Sequence, residues 1–230
     1  MKKHLADTIG EVAGSIIGPK DDSWPDFKIN VWKLFKDSNV NSFFAGFYIL
    51  ESFLSFAPDH FKDNANDLYS LFKSGLEHEN FKLKLSALKC FVSYLEVLEV
   101  KKHSTFQSLI INIFEAVYAL IQHDNNEEGL EALSEMLETE PRFFKKNFKE
   151  LVELLTRVFR IPNIEGGVRR MATEILVDYA EKSPALFRKR KEALESTIEM
   201  IFFHMIEISN EVTDEWKRPP EGYNEDMEDD

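Results

Sequence analysis

The chain has almost no cysteine, and this excludes several kinds of site. Cys90 is the only cysteine among 230 residues, so neither an internal disulfide nor a cysteine-based zinc site can form. It stands in the run Leu88-Lys89-Cys90-Phe91, where a small buried thiol is the expected state. The six histidines are scattered, with no pair at metal-ligand spacing. We predict no metal and no cofactor.

Long apolar runs are also missing. No stretch of about eighteen consecutive apolar residues is present to span a bilayer. The opening Met1-Lys2-Lys3-His4-Leu5 leads into a helix interrupted by polar residues, rather than into the apolar core of a secretory signal. These absences predict no membrane insertion and a reducing compartment, which is the cytoplasm, the nucleus or both.

Basic residues are too few to balance the acidic ones. There are 28 Lys and Arg residues against 41 Asp and Glu residues, a net charge of −13. Direct nucleic-acid binding is therefore not predicted, because phosphate neutralisation needs clustered Lys and Arg. Nine acidic and two basic residues fall in 211–230, so this segment is strongly acidic and the rest only mildly so.

The basic groups that are present lie mostly at predicted turns and helix starts. We expect most of them to pair with neighbouring acids. Lys82 and Arg169 differ because each stands early in the second helix of a predicted pair. We predict that these two residues bond across the helix stack.

Motifs for catalysis are absent as well. The sequence contains no P-loop, dinucleotide-binding fingerprint or nucleophile elbow. Carboxylates are abundant, but they fall on predicted helix surfaces, where no pair stands out as an acid–base couple. We predict that the chain is not an enzyme.

A turn signature does recur along the chain. A proline followed three residues later by phenylalanine occurs at Pro58, Pro141 and Pro184, each between two segments with helical spacing. The separations of 83 and 43 residues indicate a unit of about forty-two residues, with one copy skipped. Paired helices at that period are typical of HEAT repeats.

Apolar spacing places the helices. The sequence predicts helices near 3–17, 25–36, 40–56, 64–77, 81–98, 104–122, 126–139, 145–160, 167–182 and 190–209, joined by short connectors that favour antiparallel neighbours. Sustained strand alternation is not present. Small residues recur early in the second helix of each pair, where they would permit close approach to the first: Gly46, Ala87, Ala132 and Ala172.

The predicted fold is all-α: a solenoid of antiparallel helix pairs, or HEAT repeats, in a right-handed superhelical stack. Residues 1–210 would form about four full repeats flanked by half repeats, and residues 211–230 an acidic, disordered loop or tail. Solenoids usually end in capping units with a polar outer face, and neither end here has that pattern. This favours a segment of a longer solenoid over a short, complete HEAT protein.

Several stretches resemble one family along nearly the whole chain. They are Val12-Ala13 before Ile16-Ile17, Ser23-Trp24-Pro25-Asp26-Phe27, Ser86 to Phe91, Leu137 to Phe144, and Ala180 to Lys189. The sequence is similar to the importin-β superfamily of nuclear transport receptors, and most to the amino-terminal half of its importin beta-3 type. Asp214-Glu215-Trp216, followed by a further acidic run, resembles the acidic loop of these receptors.

The resemblance implies a function in nuclear import. The expected partners are FG nucleoporins, the Ran GTPase and cargo proteins with a nuclear-localisation signal, and the expected locations are the cytoplasm, the nucleus and the nuclear pore. Residues expected to bind partners lie in the acidic loop: Asp214, Glu215, Trp216, Glu225 and Asp226. The alternative is a HEAT-repeat scaffold subunit of a phosphatase or chromatin-associated complex. It would share the periodicity but not the binding of FG motifs.

Overall fold

A computed structural model describes residues 2–17, 24–37, 39–56, 61, 64–124 and 127–206. These residues form α-helices and short 3-10 helices, and no strand occurs among them. The α-helices in chain order are α1 (Lys2–Ile16), α2 (Pro25–Lys36), α3 (Val40–Phe56), α4 (Ala65–Glu77), α5 (Phe81–Val97), α6 (His103–Phe106), α7 (Leu109–Asp124), α8 (Glu128–Thr139), α9 (Phe148–Phe159), α10 (Gly166–Lys182), α11 (Pro184–Arg188) and α12 (Lys191–Ile206).

The long helices form antiparallel pairs that stack in two rows. The pairs are α2–α3, α4–α5, α7–α8 and α9–α10, and α12 packs against α9 and α10 of the last pair. First helices pack on first helices, α4 on α7, α7 on α9 and α9 on α12. Second helices form the other row, in which α1, α3, α5, α8 and α10 lie side by side. The predicted all-α solenoid of HEAT repeats is confirmed.

Helix boundaries agree with the sequence prediction except around the connectors. The helix predicted over 104–122 is divided into α6 and α7, which meet at a bend of 67°. The start of the helix predicted at 145 is a 3-10 helix, Pro141–Asn147. The turn predicted at Pro184 contains the short helix α11. In both connectors proline stands at the first helical position, where its missing N–H costs nothing.

The copy of the turn signature that the sequence pattern skips between Pro58 and Pro141 is present at Val100. This residue lies 42 positions after Pro58 and 41 before Pro141, and it begins the 3-10 helix Val100–Lys102. His103 then occupies the position at which the other repeats place phenylalanine, and like them it is buried. Its Nε2 lies 3.2 Å from the carbonyl oxygen of Leu98, and its Nδ1 lies 3.9 Å from a carboxylate oxygen of Glu140. Replacement of Pro by Val and of Phe by His conceals this copy in the sequence.

Small residues occupy buried positions early in the second helices, as predicted, and in the first two pairs they lie where the helices approach closely. Gly46, Ala87, Ala132 and Ala172 are all buried. A Cβ atom at Gly46 would lie 2.7 Å from the Phe35 ring of the partner helix α2. One at Gly75 on α4 would lie 2.5 Å from the Cβ of Ala87 on α5. Neither position has room for a larger side chain.

Basic residues near the start of two second helices bond to the first helix of their pair. Arg169 donates from Nε to the carbonyl oxygen of Phe159 at 3.2 Å, and its guanidinium lies 5.1 Å from the ring centre of Phe203 on α12. The prediction for Arg169 is therefore confirmed, and that for Lys82 is wrong by two positions. Lys84, the fourth residue of its helix as Arg169 is of α10, donates from Nζ to the carbonyl oxygen of Leu76 at 2.6 Å. Burial lowers the pKa of Lys84 below its usual value, and nearby Glu115 and Glu77 oppose that shift.

Candidate functional site

An acidic groove lies between two neighbouring helices of the second-helix row. It runs between α8 and α10 and has a volume of about 290 Å³. Five carboxylates line it, together with one hydroxyl and two apolar side chains: Glu131, Ser134, Glu135, Glu138, Met171, Glu174, Ile175 and Asp178. No lysine or arginine is among the lining residues of this groove. Its chemistry suits a cationic ligand.

Helical periodicity brings the carboxylates together. Glu131, Glu135 and Glu138 follow one another at steps of four and three along α8. Glu174 and Asp178 are four apart on α10. Residues at such steps share one face of a helix, and the packing of α8 against α10 places the two acidic faces beside one groove.

The floor of the groove is apolar and firmly held. Ile175 is buried and belongs to the hydrophobic core, and Met171 packs against that core. Such a floor can receive the methylene groups of a lysine or arginine side chain while the carboxylates bind its charged end. The groove therefore offers both kinds of contact that a basic peptide segment needs.

Burial and neighbouring negative charges both act on Glu135. Burial raises its pKa above the usual value, and the charges of Glu96 and Glu138 raise it further. Lys89 acts in the opposite direction, but its Nζ is already held by Glu128 at 2.8 Å. Negative charge thus extends from α5 across α8 to α10, and a bound cation would reduce the repulsion between these carboxylates.

Glu135→Gln should raise the thermal midpoint of the free protein at pH 7, by at most about 2 °C. A carboxyl whose pKa is raised by folding destabilises the folded state when it is ionised. This penalty disappears once the pH falls below the pKa of the carboxyl in both the folded and the unfolded state. The gain should therefore vanish below about pH 4. Glu153→Gln is the matched control, because Glu153 on α9 pairs with Lys149 at 3.4 Å and should give no gain. A midpoint for Glu135→Gln that is lower at pH 7 would contradict the prediction.

A second, mainly apolar cavity lies near the other end of the second-helix row. It has a volume of about 480 Å³ and is bounded by α1, α2, α3 and the start of α5. Leu5, Ile9, Leu34, Phe44, Tyr48 and Ile49 supply its apolar wall, and Asn41, Ser42 and Lys82 its polar rim. Lys82, which forms no bond across the stack, therefore faces a cavity instead.

The residues predicted to bind partners cannot be placed in this geometry. Asp214, Glu215, Trp216, Glu225 and Asp226 all lie outside the described residues, as does the boundary predicted at residue 210. Their role as an acidic loop stays a prediction. The groove on α8 and α10 was not predicted from the sequence, because each carboxylate alone is typical of a solvated helix face. The sequence signal was the helical spacing of acidic residues, at steps of four and three on α8 and of four on α10, which are the second helices of adjacent pairs.

No group of three or more His, Cys, Asp or Glu side chains in the described ranges is placed to hold a metal ion. No single described helix is both long and apolar enough to cross a bilayer, although Val100–Phe106 and Leu109–His123 have sufficient length and apolar composition when taken together across their 67° bend.

Comparison with known proteins identifies the family. A family model described as "IPO5-like, TPR repeats" matches residues 1–154, and one described as "Importin repeat" matches residues 162–230. The chain belongs to the IPO5-like importins. Although the first description names TPR repeats, the spacing of about forty-two residues in this importin chain is that of HEAT repeats.

Relatives of this importin chain agree with the assignment. Importin subunit beta-3 of Saccharomyces cerevisiae is 24% identical over 226 residues, which cover 94% of this chain and 20% of that protein. The karyopherin Kap121p bound to the SUMO protease Ulp1p has the same fold, with a TM-score of 0.81 and 19% identity over 97% of this chain and 22% of Kap121p. Kap121p bound to Nup53p gives a TM-score of 0.80, also at 19% identity, with the same coverage. The chain spans about a fifth of the length of these relatives.

Proposed function

We propose that this chain is a segment of a nuclear import receptor and that its acidic groove binds a basic stretch of cargo protein. The observation that carries the proposal is the set of five carboxylates around an apolar floor between α8 and α10. Nuclear-localisation signals rich in Lys and Arg are complementary to such a surface in charge and in side-chain shape. A receptor of this kind binds and releases its partners without chemistry, which agrees with our prediction that the chain is not an enzyme.

The remaining partners follow from the family. We propose FG nucleoporins and the Ran GTPase as partners, with residence in the cytoplasm, the nucleus and the nuclear pore. The solved complex of Kap121p with Nup53p supports a nucleoporin partner. Individual FG contacts would be weak and multivalent, which permits rapid passage through the pore. The predicted acidic loop, with Asp214, Glu215 and Trp216, would compete with acidic surfaces of the receptor for basic cargo.

A titration with a labelled lysine-rich peptide tests the groove. We expect saturable binding that weakens with salt, and no binding of a peptide whose lysines are replaced by glutamine. Glu138→Lys with Glu174→Lys should reduce the affinity about tenfold or more, because two favourable charge contacts become repulsive. The readout is fluorescence anisotropy at two salt concentrations.

A matched variant separates the groove from the overall charge. Glu115→Lys with Glu153→Lys makes the same change of charge on the exposed faces of α7 and α9, in the first-helix row, and should leave the affinity within about twofold. Equal losses for the two double variants would show that only net charge matters and would refute the groove as a site.

A second titration separates an import receptor from a general scaffold. The chain is mixed with an FG-repeat peptide and with its Phe→Ser control, followed by NMR. Binding that requires the phenylalanines supports the receptor. An equal, negligible response to both peptides would favour the scaffold subunit of a phosphatase or chromatin-associated complex.

A further inference from the structure

The connectors from each second helix to the next first helix line one edge of the solenoid. Three segments, 100–108, 141–149 and 182–191, cover most of these connectors and the adjoining helix ends, and they contact one another or their neighbours' helices. Gln107 donates from Nε2 to the carbonyl oxygen of Phe143 at 3.0 Å, and the Tyr179 hydroxyl donates to the carbonyl oxygen of Pro141 at 3.0 Å. The rings of Phe148 and Phe187 lie 4.9 Å apart. We refer to these three segments as the connector edge.

Charge is segregated on the connector edge. Its three segments hold eleven of the 28 Lys and Arg residues, whereas the acidic residues that directly flank them number five: Glu99, Glu140, Glu150, Glu181 and Glu192. All of these basic side chains except Lys102 are exposed: Lys101, Arg142, Lys145, Lys146, Lys149, Lys182, Arg188, Lys189, Arg190 and Lys191. A chain with a net charge of −13 thus presents one strongly positive surface.

Most of this positive charge is not neutralised locally, contrary to our expectation from the sequence. Lys101, Lys149 and Lys191 pair with Glu99, Glu153 and Glu195, in exposed ion pairs that contribute little. Among the described residues, no carboxylate pairs with the other seven exposed side chains, which are Arg142, Lys145, Lys146, Lys182, Arg188, Lys189 and Arg190. These seven side chains are therefore available to an external anionic group.

We propose that the connector edge is a docking surface for an acidic polypeptide, namely residues 211–230 of this same chain. That segment has nine acidic and two basic residues, so its charge is complementary to the edge. The groove between α8 and α10 repels it, because both are acidic. The net negative charge of the chain also disfavours nucleic acid as the occupant.

The length of chain permits this contact. Helix α12 begins at Lys191 on the connector edge and ends fifteen residues later at Ile206, about 23 Å away at 1.5 Å per residue. Residues 207–220 can extend about 45 Å, which is enough to return to the edge. The six acids that follow, Glu221, Glu225, Asp226, Glu228, Asp229 and Asp230, then meet the edge at the high effective concentration of a tethered ligand.

A spin label on the acidic segment tests the proposal on the whole chain. Glu228→Cys carries the label in a Cys90→Ala background, and the amide signals of 100–108, 141–149 and 182–191 are followed by NMR. We expect strong broadening there and little on α2 and α3, with recovery in about 0.5 M NaCl, where the screening length falls to a few ångströms. Arg188→Glu, Lys189→Glu and Arg190→Glu together should abolish the broadening.

Two controls make the outcome decisive. Lys33→Glu, Lys36→Glu and Lys73→Glu change the charge equally on exposed positions of α2 and α4, and should preserve the broadening. Circular dichroism shows whether each triple variant stays folded. The proposal is overturned if broadening is absent or uniform, or if it survives high salt. A mixture of spin-labelled chains and separate isotope-labelled chains detects contact between two copies. The same broadening in this mixture would equally overturn the proposal, since the occupant would then be a second chain.

Discussion

Phe72→Ala should destabilise the protein by about 3–5 kcal/mol, the cost of emptying a fully buried aromatic site. Phe72 on α4 has no exposed surface, and its ring contacts four others from three neighbouring helices. The centroid distances are 6.5 Å to Phe47, 5.2 Å to Phe91, 5.7 Å to Tyr94 and 6.4 Å to Phe106. Urea unfolding followed by circular dichroism measures the loss as a lower midpoint.

Phe202→Ala provides the comparison. Phe202 on α12 is 56% exposed, so removing its ring should change the free energy of unfolding by no more than about 0.5 kcal/mol. Phe72→Leu, which keeps most of the volume, should cost much less than Phe72→Ala. A loss below about 1 kcal/mol for Phe72→Ala would mean that the aromatic contacts do not join the repeats. A changed urea slope would instead indicate that neighbouring repeats unfold separately.

The sequence predicts the repeat well because two independent periodicities coincide. Apolar spacing defines each helix, and the small residues Gly46, Ala87, Ala132 and Ala172 recur at the same phase of the second helices. Both patterns have a direct physical cause, since one buries a helix face and the other sets the distance between paired helices. They therefore persist wherever the packing persists.

The connectors are harder to predict because several residue types satisfy the same packing. Val100 and His103 replace the proline and phenylalanine of the turn signature, and His103 is nevertheless buried, with a carbonyl and a carboxylate near its ring nitrogens. At the division between α6 and α7, Gln107 bonds to the carbonyl oxygen of Phe143, thirty-six residues away. The residues around Gln107 in the sequence do not indicate so distant a partner.

The candidate site could be predicted only in part. The acidic steps on α8 and on α10 are visible in the sequence, but each alone is typical of a solvated helix face. Only the packing of α8 beside α10 turns them into one groove with Met171 and Ile175 at its floor. The connector edge is similar, because its basic residues come from three connectors about forty residues apart.

Gly75→Ala should destabilise the protein by about 1–3 kcal/mol, although alanine is the better helix former by about 1 kcal/mol at an unconstrained helical position. The added Cβ would lie 2.5 Å from the Cβ of Ala87 and 2.7 Å from the ring of Phe47. Ala87 cannot move without its helix, and Phe47 is fully buried, so α4 and α5 must separate. Thermal and urea unfolding measure the loss.

Two further variants distinguish this close approach from a general effect of the substitution. Gly166→Ala, at a helical position with nothing within 4 Å of the added Cβ, should be neutral or stabilising. Ala87→Gly combined with Gly75→Ala removes the closest contact, so the double variant should lose less stability than the sum of the two single variants. Strict additivity would contradict the close approach of α4 and α5. Because α5 lies between α3 and α8 in the second-helix row, a displaced α5 should also weaken binding of the lysine-rich peptide. Gly75→Ala thus tests whether the spacing of one helix pair affects peptide binding at the groove that the next two pairs form.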